Sequence, residues 1–399
     1  MRKPSVSGVV GAVVLALMMG ALDATGSKAV AVRVDLETGQ AAATGPRFIG
    51  RLRGDGRRLA GPDGATFDWR GITAFRLLEL VAHGKAREAE AYLDFAAQHR
   101  VTVVRVVARA QNLFDLPTED GRAALPRLLE MARQRGIYLQ VVALVDTAGW
   151  SPDQLASQLD EVARILEPHD NAILEYANEP YHGSQSRDLS RFVREHRTSF
   201  GGVWAQGAAR DDTSDELAAG PWVSVHVSRG GERWRREARN RVLVDLSRRT
   251  GTFVVSNEPI GAGADVQPGR RDNLPAAFAA QALLARLMGV GSTFHYEGGL
   301  QARIPQGAER ACFDAWRDGL DAIPHDLGMR FTAPGEEGSP ARRVDGATAE
   351  AVYTAASDVR GWAVALGTRG PARIEWAPGW QVQSRRPFGE VEVMEIGRR

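Results

Sequence analysis

An alternation of strand-like and helical segments, counted eight times between residues 66 and 323, constrains the fold of this chain more than any other feature. The strand-like segments are short and mostly apolar or β-branched, which is typical of parallel strands covered on both faces. They are Thr66–Thr73, Thr102–Arg109, Tyr138–Val145, Ala172–Ala177, Gly202–Gly207, Trp222–Ser228, Thr252–Ser256 and Ser292–Tyr296. Eight such strands over roughly 250 residues predict an α/β fold, the (β/α)8 barrel.

Helical patterns with one charged face and one apolar face separate these strands. They are Ala86–His99, Ala123–Arg135, Pro152–Glu167, Gly231–Arg249, Pro275–Met288 and Glu309–Ile323, and the weakest pattern is Asp211–Leu217. Ser151 followed by Pro152 is typical of a helix start, and Gly136 and Gly251 predict helix ends.

A doubly wound sheet is the alternative architecture, and it usually places a glycine-rich phosphate loop after its first strand. Here Gly71 leads through Thr73 into Phe75, and no G-x-G-x-x-G pattern is present. The later Gly261-Ala262-Gly263 follows the seventh strand and opens no helix, so a loop is predicted there. These observations favour the barrel.

From about Phe331 the pattern changes to short alternating segments, which predict a small antiparallel β module over residues 331–399. The segments are Ala349–Ala356, Gly361–Leu366, Ala372–Trp376 and Glu390–Met394. Residues 32–65 also contain strand-like pieces, which either join this module or link to the barrel over residues 66–325. Trp362, Trp376 and Trp380 either form a sugar-stacking surface or pack against the barrel.

Residues 1–31 have the pattern of a secretory signal, with a basic start, the uncharged apolar run Ser5–Leu22 and small residues up to Ala31. Uncleaved, the segment would be a membrane anchor; cleaved, it predicts no stable membrane insertion. We expect export to the medium, the periplasm or the cell envelope. Cys312 is the only cysteine, so an intrachain disulfide is impossible.

The charge balance excludes one class of partner. Fifty Lys and Arg residues face 49 Asp and Glu residues, which leaves a formal charge of +1. A chain so nearly neutral has no global field that would attract nucleic acid. We therefore expect no nucleic-acid partner, and we expect a monomer.

Two glutamates mark the expected active site, because catalytic residues of such barrels lie at the carboxyl ends of the strands. The fourth strand runs into Asn178-Glu179-Pro180 and the seventh into Asn257-Glu258-Pro259. Hydrolysis of a glycosidic bond with retention needs two carboxyl groups about 5–5.5 Å apart, one to protonate the leaving oxygen and one to attack the sugar. Strands four and seven of a closed barrel lie opposite each other across its mouth.

These motifs resemble clan A of the glycoside hydrolases, the 4/7 superfamily, and are most similar to its cellulase-like and mannanase-like families. The resemblance spans residues 66 to about 325 and implies Glu179 as general acid/base, preceded by Asn178, and Glu258 as nucleophile. It also implies that Arg105, on the second strand, supports the nucleophile. His226, on the sixth strand, is implied to lie near the sugar.

Two positions depart from the family pattern. Ser228 stands where an aromatic residue usually follows the sixth-strand histidine, and the eighth strand ends in His295-Tyr296-Glu297 in place of a tryptophan platform. His295 and Glu297 share a parity that would direct both into the barrel. We predict that all three residues contact substrate, and that stacking comes from Tyr296, Trp204 or Trp150.

The leading hypothesis is therefore a retaining glycosidase acting on β-linked oligo- or polysaccharides, without a cofactor. One alternative is a catalytically inactive barrel that binds carbohydrate. Another is a metal-dependent hydrolase, but the histidines show no ligand spacing such as H-E-x-x-H, so no metal site is predicted. His226 could also be a core histidine, and Cys312 is expected to be buried in the last helix rather than nucleophilic.

Overall fold

The computed structural model describes residues 50–210, 214–227, 230–263 and 272–399, which belong to one compact unit. The predicted export signal (1–31), the rest of the segment up to residue 49, and Ser228 lie outside the described residues. Within the described ranges, no helix combines the length and the apolar composition needed to cross a bilayer.

Ten strand segments of the described residues form the parallel sheet of the predicted barrel, nine of them in one continuous order. The strands up to residue 296 are β1 (Arg53–Asp55), β2 (Arg58–Ala60), β3 (Arg70–Thr73), β4 (Val103–Val107), β5 (Tyr138–Leu144), β6 (Ala172–Ala177), β7 (Trp204–Ala205), β8 (Ala208–Arg210), β9 (Trp222–His226), β10 (Phe253–Ser256), β11 (Gly261–Ala262) and β12 (Gly291–Tyr296). The sheet order is β7-β6-β5-β4-β3-β12-β10-β9-β8, and β11 pairs with β12. The (β/α)8 prediction is confirmed, with each predicted strand containing or overlapping one observed strand.

The fifth barrel strand is divided into β7 and β8, which pair with β6 and β9 respectively. Between them, Gly207 has a φ of +148°. A Cβ atom at this position would lie 2.7 Å from the carbonyl oxygen of Ala177, at the end of β6. Glycine is therefore required at this point, beside Ala177, which precedes Glu179 by two residues.

Helices cover the outside of the sheet. They are α1 (Leu77–Ala82), α2 (Ala86–Gln98), α3 (Thr118–Arg133), α4 (Pro152–Leu166), α5 (Leu189–Glu195), α6 (Arg233–Ala238), α7 (Arg241–Thr250), α8 (Pro275–Met288), α9 (Glu297–Leu300) and α10 (Gly307–Ala322). Ser151 caps α4 as predicted, through a capping box with Gln154, and Gly251 ends α7 in the left-handed conformation. The weak pattern at Asp211–Leu217 is a 3₁₀ turn over Ser214–Leu217, and residues 211–213 lie outside the described ranges.

The single helix predicted over Gly231–Arg249 is wrong, because α6 and α7 are separate. Asn240, between them, donates from its side-chain amide to the carbonyl oxygen of Glu237 at 3.0 Å. Side-chain amides of asparagine compete in this way with the helical backbone hydrogen bonds.

The barrel interior is layered. An apolar layer fills its amino-terminal end and includes Trp69, Val103, Tyr138, Ile173, Trp222, Phe253 and Val255. Side chains alternate along each strand, so the next inward positions on β4, β5, β6 and β9 are Arg105, Gln140, Glu175 and Ser224. The polar site therefore rests on a closed apolar floor.

The amino-terminal strands β1 and β2 pair only with each other, as an antiparallel hairpin. Leu52 and Leu59 belong to the apolar floor of the barrel. The described part of residues 32–65 thus closes the bottom of the barrel and does not join the carboxyl-terminal module.

The predicted antiparallel module is confirmed. Its strands are β13 (Arg330–Thr332), β14 (Ala341–Val344), β15 (Ala351–Ala356), β16 (Arg360–Leu366), β17 (Ile374–Trp376), β18 (Trp380–Pro387) and β19 (Val391–Arg398). Five form a sheet of order β13-β15-β16-β19-β18, and β14 pairs with β17. One face of the sheet packs on α8, with Trp362 at this interface. Trp376 and Trp380 pack within the module, on a separate apolar cluster.

Candidate active site

The two predicted glutamates meet at the carboxyl-terminal mouth of the barrel. Glu179 follows β6 and Glu258 follows β10, and one carboxylate oxygen of each lies within 4.8 Å of the other and of a His226 ring nitrogen. The side chain of Glu258 is 9% exposed and that of Glu179 is 27% exposed. Glu258 thus lies deep in the site, whereas Glu179 borders the solvent.

The backbone of Glu179 is held in a sparsely populated conformation. Its φ is +42°, in the left-handed region that residues other than glycine seldom adopt. Asp146, which follows β5, also has a positive φ, of +57°. Strain of this kind is concentrated at functional sites, because the surrounding structure must hold it in place.

His226 lies between the two glutamates at the end of β9. Its Nδ1 atom is 3.0 Å from Glu179 Oε1, and its Nε2 atom is 3.5 Å from Glu258 Oε1. The side chain is 4% exposed. Both ring nitrogens therefore lie beside the two carboxylates, which favours a site role for His226 over that of a core histidine.

Arg105 supports the inner side of the site from β4. This fully buried guanidinium contacts Glu258 Oε1 through Nη1, Glu175 Oε2 through Nε at 3.0 Å, and Asn178 Oδ1 through Nη2 at 2.8 Å. Burial alone would lower the pKa of Arg105, but Glu175 and Glu258 outweigh burial and raise it. The cation therefore favours the ionised form of Glu258.

Glu175 is a site residue that sequence reasoning did not single out. It is fully buried in β6, and it also accepts a hydrogen bond from Gln140 Nε2 at 2.7 Å. The signal was present in the sequence: a charged residue in the middle of an apolar strand, four positions before Glu179. Arg105 is thus shared between two carboxylates.

Asn257 fixes the backbone beside Glu258. Its side chain donates to Ser224 Oγ and accepts from Thr293 Oγ1, both at 2.9 Å. These contacts tie the end of β10 to its neighbours β9 and β12. Asn178 has the corresponding place beside Glu179, where it is half-buried against Arg105 and contributes to the polar wall.

The three residues at the end of the eighth barrel strand, His295, Tyr296 and Glu297, point in different directions or lie in different elements. His295 faces the barrel interior and its Nδ1 lies 3.2 Å from Thr73 Oγ1. Glu297 lies beyond the strand, as the first residue of α9. Tyr296 is directed outward, toward the helices, and is fully buried, with its hydroxyl 2.9 Å from that of Tyr92.

The prediction that Tyr296 contacts substrate is therefore corrected. Its hydroxyl donates to the carbonyl oxygen of Arg303 at 2.5 Å, and burial together with Tyr92 raises its pKa well above the usual value. Alternation along β12 explains this placement, because the inward position belongs to His295. A side chain enclosed in this way cannot reach a sugar in the mouth.

Tyr181 and Arg210 also lie at the mouth and were not predicted. The Arg210 guanidinium lies 4.0 Å from the centre of the Tyr181 ring, a cation–π contact. Burial and the nearby carboxylate of Glu179 raise the pKa of Tyr181. The only sequence signal was the position of Tyr181, two residues after Glu179.

Glu179, His226 and Glu258 also present one possible metal ligand each. Spacing along the chain could not predict this group, because its members come from three separate strands. A cation there would compete with Arg105, which already contacts Glu258. The contacts of Arg105 and His226 already give the two carboxyl groups different surroundings.

Comparison with solved structures places this barrel among glycoside hydrolases in fold. A glycoside hydrolase superposes with a TM-score of 0.58 at 14% identity, covering 88% of this chain and 97% of its own. A family 5 glycoside hydrolase from Bacteroides vulgatus superposes with a TM-score of 0.57 at 14% identity, covering 90% and 95%. The fold is similar to that of these glycoside hydrolases.

A third structure of similar fold is a complex with a sugar. It is a β-glucanase from Saccharophagus degradans in complex with cellotetraose, with a TM-score of 0.50 at 8% identity, covering 69% of this chain and 94% of its own. No protein-family model and no curated protein matches the sequence. The predicted resemblance to clan A glycoside hydrolases is thus confirmed at the level of the fold.

Proposed function

We propose that this chain is a retaining glycoside hydrolase that cleaves β-linked glycans by double displacement. The observation that carries the proposal is the approach of Glu179 and Glu258, with carboxylate oxygens within 4.8 Å of each other. Retaining enzymes place these groups about 5–5.5 Å apart, whereas inverting enzymes leave roughly 6.5–9.5 Å for a water molecule. The short separation supports retention.

In the first step, a Glu258 oxygen attacks the anomeric carbon and the glycosidic C–O bond breaks. Glu179 gives its proton to the leaving oxygen, and a covalent glycosyl-enzyme remains on Glu258. In the second step, Glu179 removes a proton from water, the water oxygen attacks the anomeric carbon, and Glu258 is released.

The environments of the two glutamates support this division of roles. The buried Arg105 contacts Glu258, and a neighbouring cation keeps a carboxyl group ionised and ready to attack. Glu179 borders the solvent, with a side chain that is 27% exposed, and contacts His226. It is therefore the better placed of the two to exchange a proton with a leaving group and with water.

Covalent trapping tests the proposal. The protein is incubated with 2-deoxy-2-fluoro glycosyl fluorides of gluco, manno and xylo configuration, and the labelled peptide is identified by mass spectrometry. We expect a label on Glu258 with at least one sugar, and none in Glu258→Gln. A chain that binds these sugars but is labelled by none would instead be the inactive carbohydrate-binding barrel.

The grouping of Glu179, His226 and Glu258 favours one second candidate, a metal-dependent hydrolase. The two candidates differ in their response to a chelator. Dialysis against EDTA should leave the activity of a double-displacement enzyme unchanged. A loss that zinc or magnesium restores would favour the metal enzyme.

A further inference from the structure

Of the three aromatic residues considered for sugar stacking, two have side chains that point away from the site, to the outer face of the barrel sheet. Tyr296 is fully buried among the helices. Trp204, on β7, faces outward and stacks on Tyr176, with ring centres 5.1 Å apart. Trp150 is different, because it lies in the loop between β5 and α4, at the mouth of the barrel, and is partly exposed.

Arg109 packs against the ring of Trp150. Its guanidinium carbon lies 4.3 Å from the ring centre, and the residue is 2% exposed. Nη1 donates to the carbonyl oxygens of Val145 and Asp146, both at 2.6 Å, and Nε donates to Thr118 Oγ1 at 3.2 Å. A buried guanidinium held by backbone oxygens fixes the position of the indole.

Buried and partly buried hydrogen bonds also connect the Trp150 loop to the segment that carries Glu179. Ser186 Oγ donates to the carbonyl oxygen of Trp150 at 2.8 Å, and the Ser186 amide donates to Thr147 Oγ1 at 3.1 Å. Gln185 accepts from Thr147 Oγ1 at 2.9 Å and donates to the carbonyl oxygen of Asn178 at 2.8 Å. The indole and the acid therefore belong to one hydrogen-bonded rim.

We propose that Trp150 is the stacking platform of a sugar subsite on the leaving-group side of the cleavage point. The assignment to this side rests on the proposed function, since Glu179 would protonate the leaving oxygen and Trp150 is bonded to the segment carrying Glu179. An indole face takes up the apolar C–H face of a neutral pyranose with equatorial hydroxyls, as in gluco- or xylo-configured β-linked chains.

Binding to the silenced protein tests the platform. The Glu258→Gln protein is titrated by calorimetry with cellotetraose, xylotetraose and mannotetraose, and the titration is repeated after adding Trp150→Ala or Trp150→Phe. We expect affinity for the best ligand to fall about tenfold with alanine and to stay within about threefold with phenylalanine, which keeps a stacking face.

Trp204→Ala in the same background is the matched control, because it removes an indole from the outer side of the barrel wall. We expect it to leave affinity unchanged. Equal affinity with and without the Trp150 indole, an equal loss in the Trp204 control, or no binding of any of the three sugars would each overturn the platform.

The trapping reaction separates this inference from the proposed function. A fluoride leaving group needs no leaving-group subsite, so Glu258 should still be labelled in Trp150→Ala. If Glu258 is labelled but sugar affinity does not depend on Trp150, the platform is overturned and the proposed hydrolase function stands. Binding that depends on Trp150, without any labelling, would place the platform in a non-catalytic binding barrel and overturn its leaving-group assignment.

Discussion

At the residue scale, the two glutamates should respond differently to substitution. Glu179→Gln should lower hydrolysis of natural β-glycosides about 10²- to 10⁴-fold, because proton transfer to the leaving oxygen is lost. Glycosides with a dinitrophenyl leaving group need no such proton and should still form the covalent intermediate. Added azide should then restore turnover and give a β-glycosyl azide, identified by mass spectrometry and NMR. In Glu258→Gln, by contrast, added azide should yield no β-glycosyl azide, because no covalent intermediate forms for azide to attack.

The sharing of Arg105 between Glu175 and Glu258 leads to a second prediction, on the pH profile. Glu175→Gln removes one negative charge beside the nucleophile while keeping a hydrogen-bonding side chain of the same shape. The pKa of Glu258 should fall, because the full charge of Arg105 then acts on it. The acidic limb of kcat/KM should therefore move to lower pH. An unmoved limb, or one at higher pH, would show that Glu175 does not act through Arg105.

The sequence predicted the residues that chemistry requires at strand ends and missed those whose role comes from three-dimensional contact. Glu179, Glu258, His226 and Arg105 follow strand position and motif, and the structure brings all four together. Tyr296 was misplaced because its neighbour His295 holds the inward position on β12. Arg210 was missed because its contact with Tyr181 joins β8 to the loop after β6, which spacing along the chain does not relate.

At the element scale, the divided fifth strand depends on Gly207. Gly207→Ala should destabilise the fold by about 1–3 kcal/mol, because it strains the backbone and displaces the end of β6. Activity should fall as well, since β6 leads into Glu179. Gly289→Ala is a suitable control: its φ is +68° and a Cβ there would meet nothing within 4 Å. Equal thermal and chemical unfolding of the two variants would contradict this account.

Helix α6 carries a carboxyl group that should make stability depend on pH. Glu237 accepts from Arg236 Nε at 2.9 Å, and Arg236 also pairs with Asp272 at 3.0 Å. Burial raises the pKa of Glu237 to about 7, despite Arg236. The native state then holds a proton that the unfolded chain releases near pH 4.5, so this contribution to stability is lost as pH rises toward and through 7.

Glu237→Gln should remove this pH dependence. The free energy of unfolding of Glu237→Gln minus that of the unchanged protein should be about 2 kcal/mol larger at pH 8 than at pH 5. The reason is that each pKa unit corresponds to about 1.4 kcal/mol, and only the unchanged protein loses this contribution. Urea titrations at several pH values measure the difference. A constant difference across this range would show that Glu237 is ionised in the native state at both ends.

Periodicity predicted most elements, because long apolar or amphipathic segments determine their own type. The bounds of β6 and α8 agree with the pattern residue for residue. Short elements such as α1 and α5 were missed, since six or seven residues contain too little of the helical period. The break between α6 and α7 depends on one side-chain hydrogen bond, which a hydrophobic pattern does not record.

At the scale of the whole molecule, the barrel and the carboxyl-terminal module share an apolar interface. Ala280, Leu283 and Leu287 of α8 face Val364 and Val393 of the module. The two parts should therefore unfold together, because separating them exposes this face of α8. Calorimetry should show a single transition with equal calorimetric and van't Hoff enthalpies. Two resolved transitions would show that the module is energetically independent.

The central claim is that Glu179 and Glu258 hydrolyse a β-glycosidic bond in two displacements. Proton NMR of the first product formed from a β-linked substrate tests it most directly, because two inversions restore the starting configuration. We predict that the β-anomer appears first and that the α-anomer grows in only by mutarotation. Initial release of the α-anomer would show a single displacement and contradict the account.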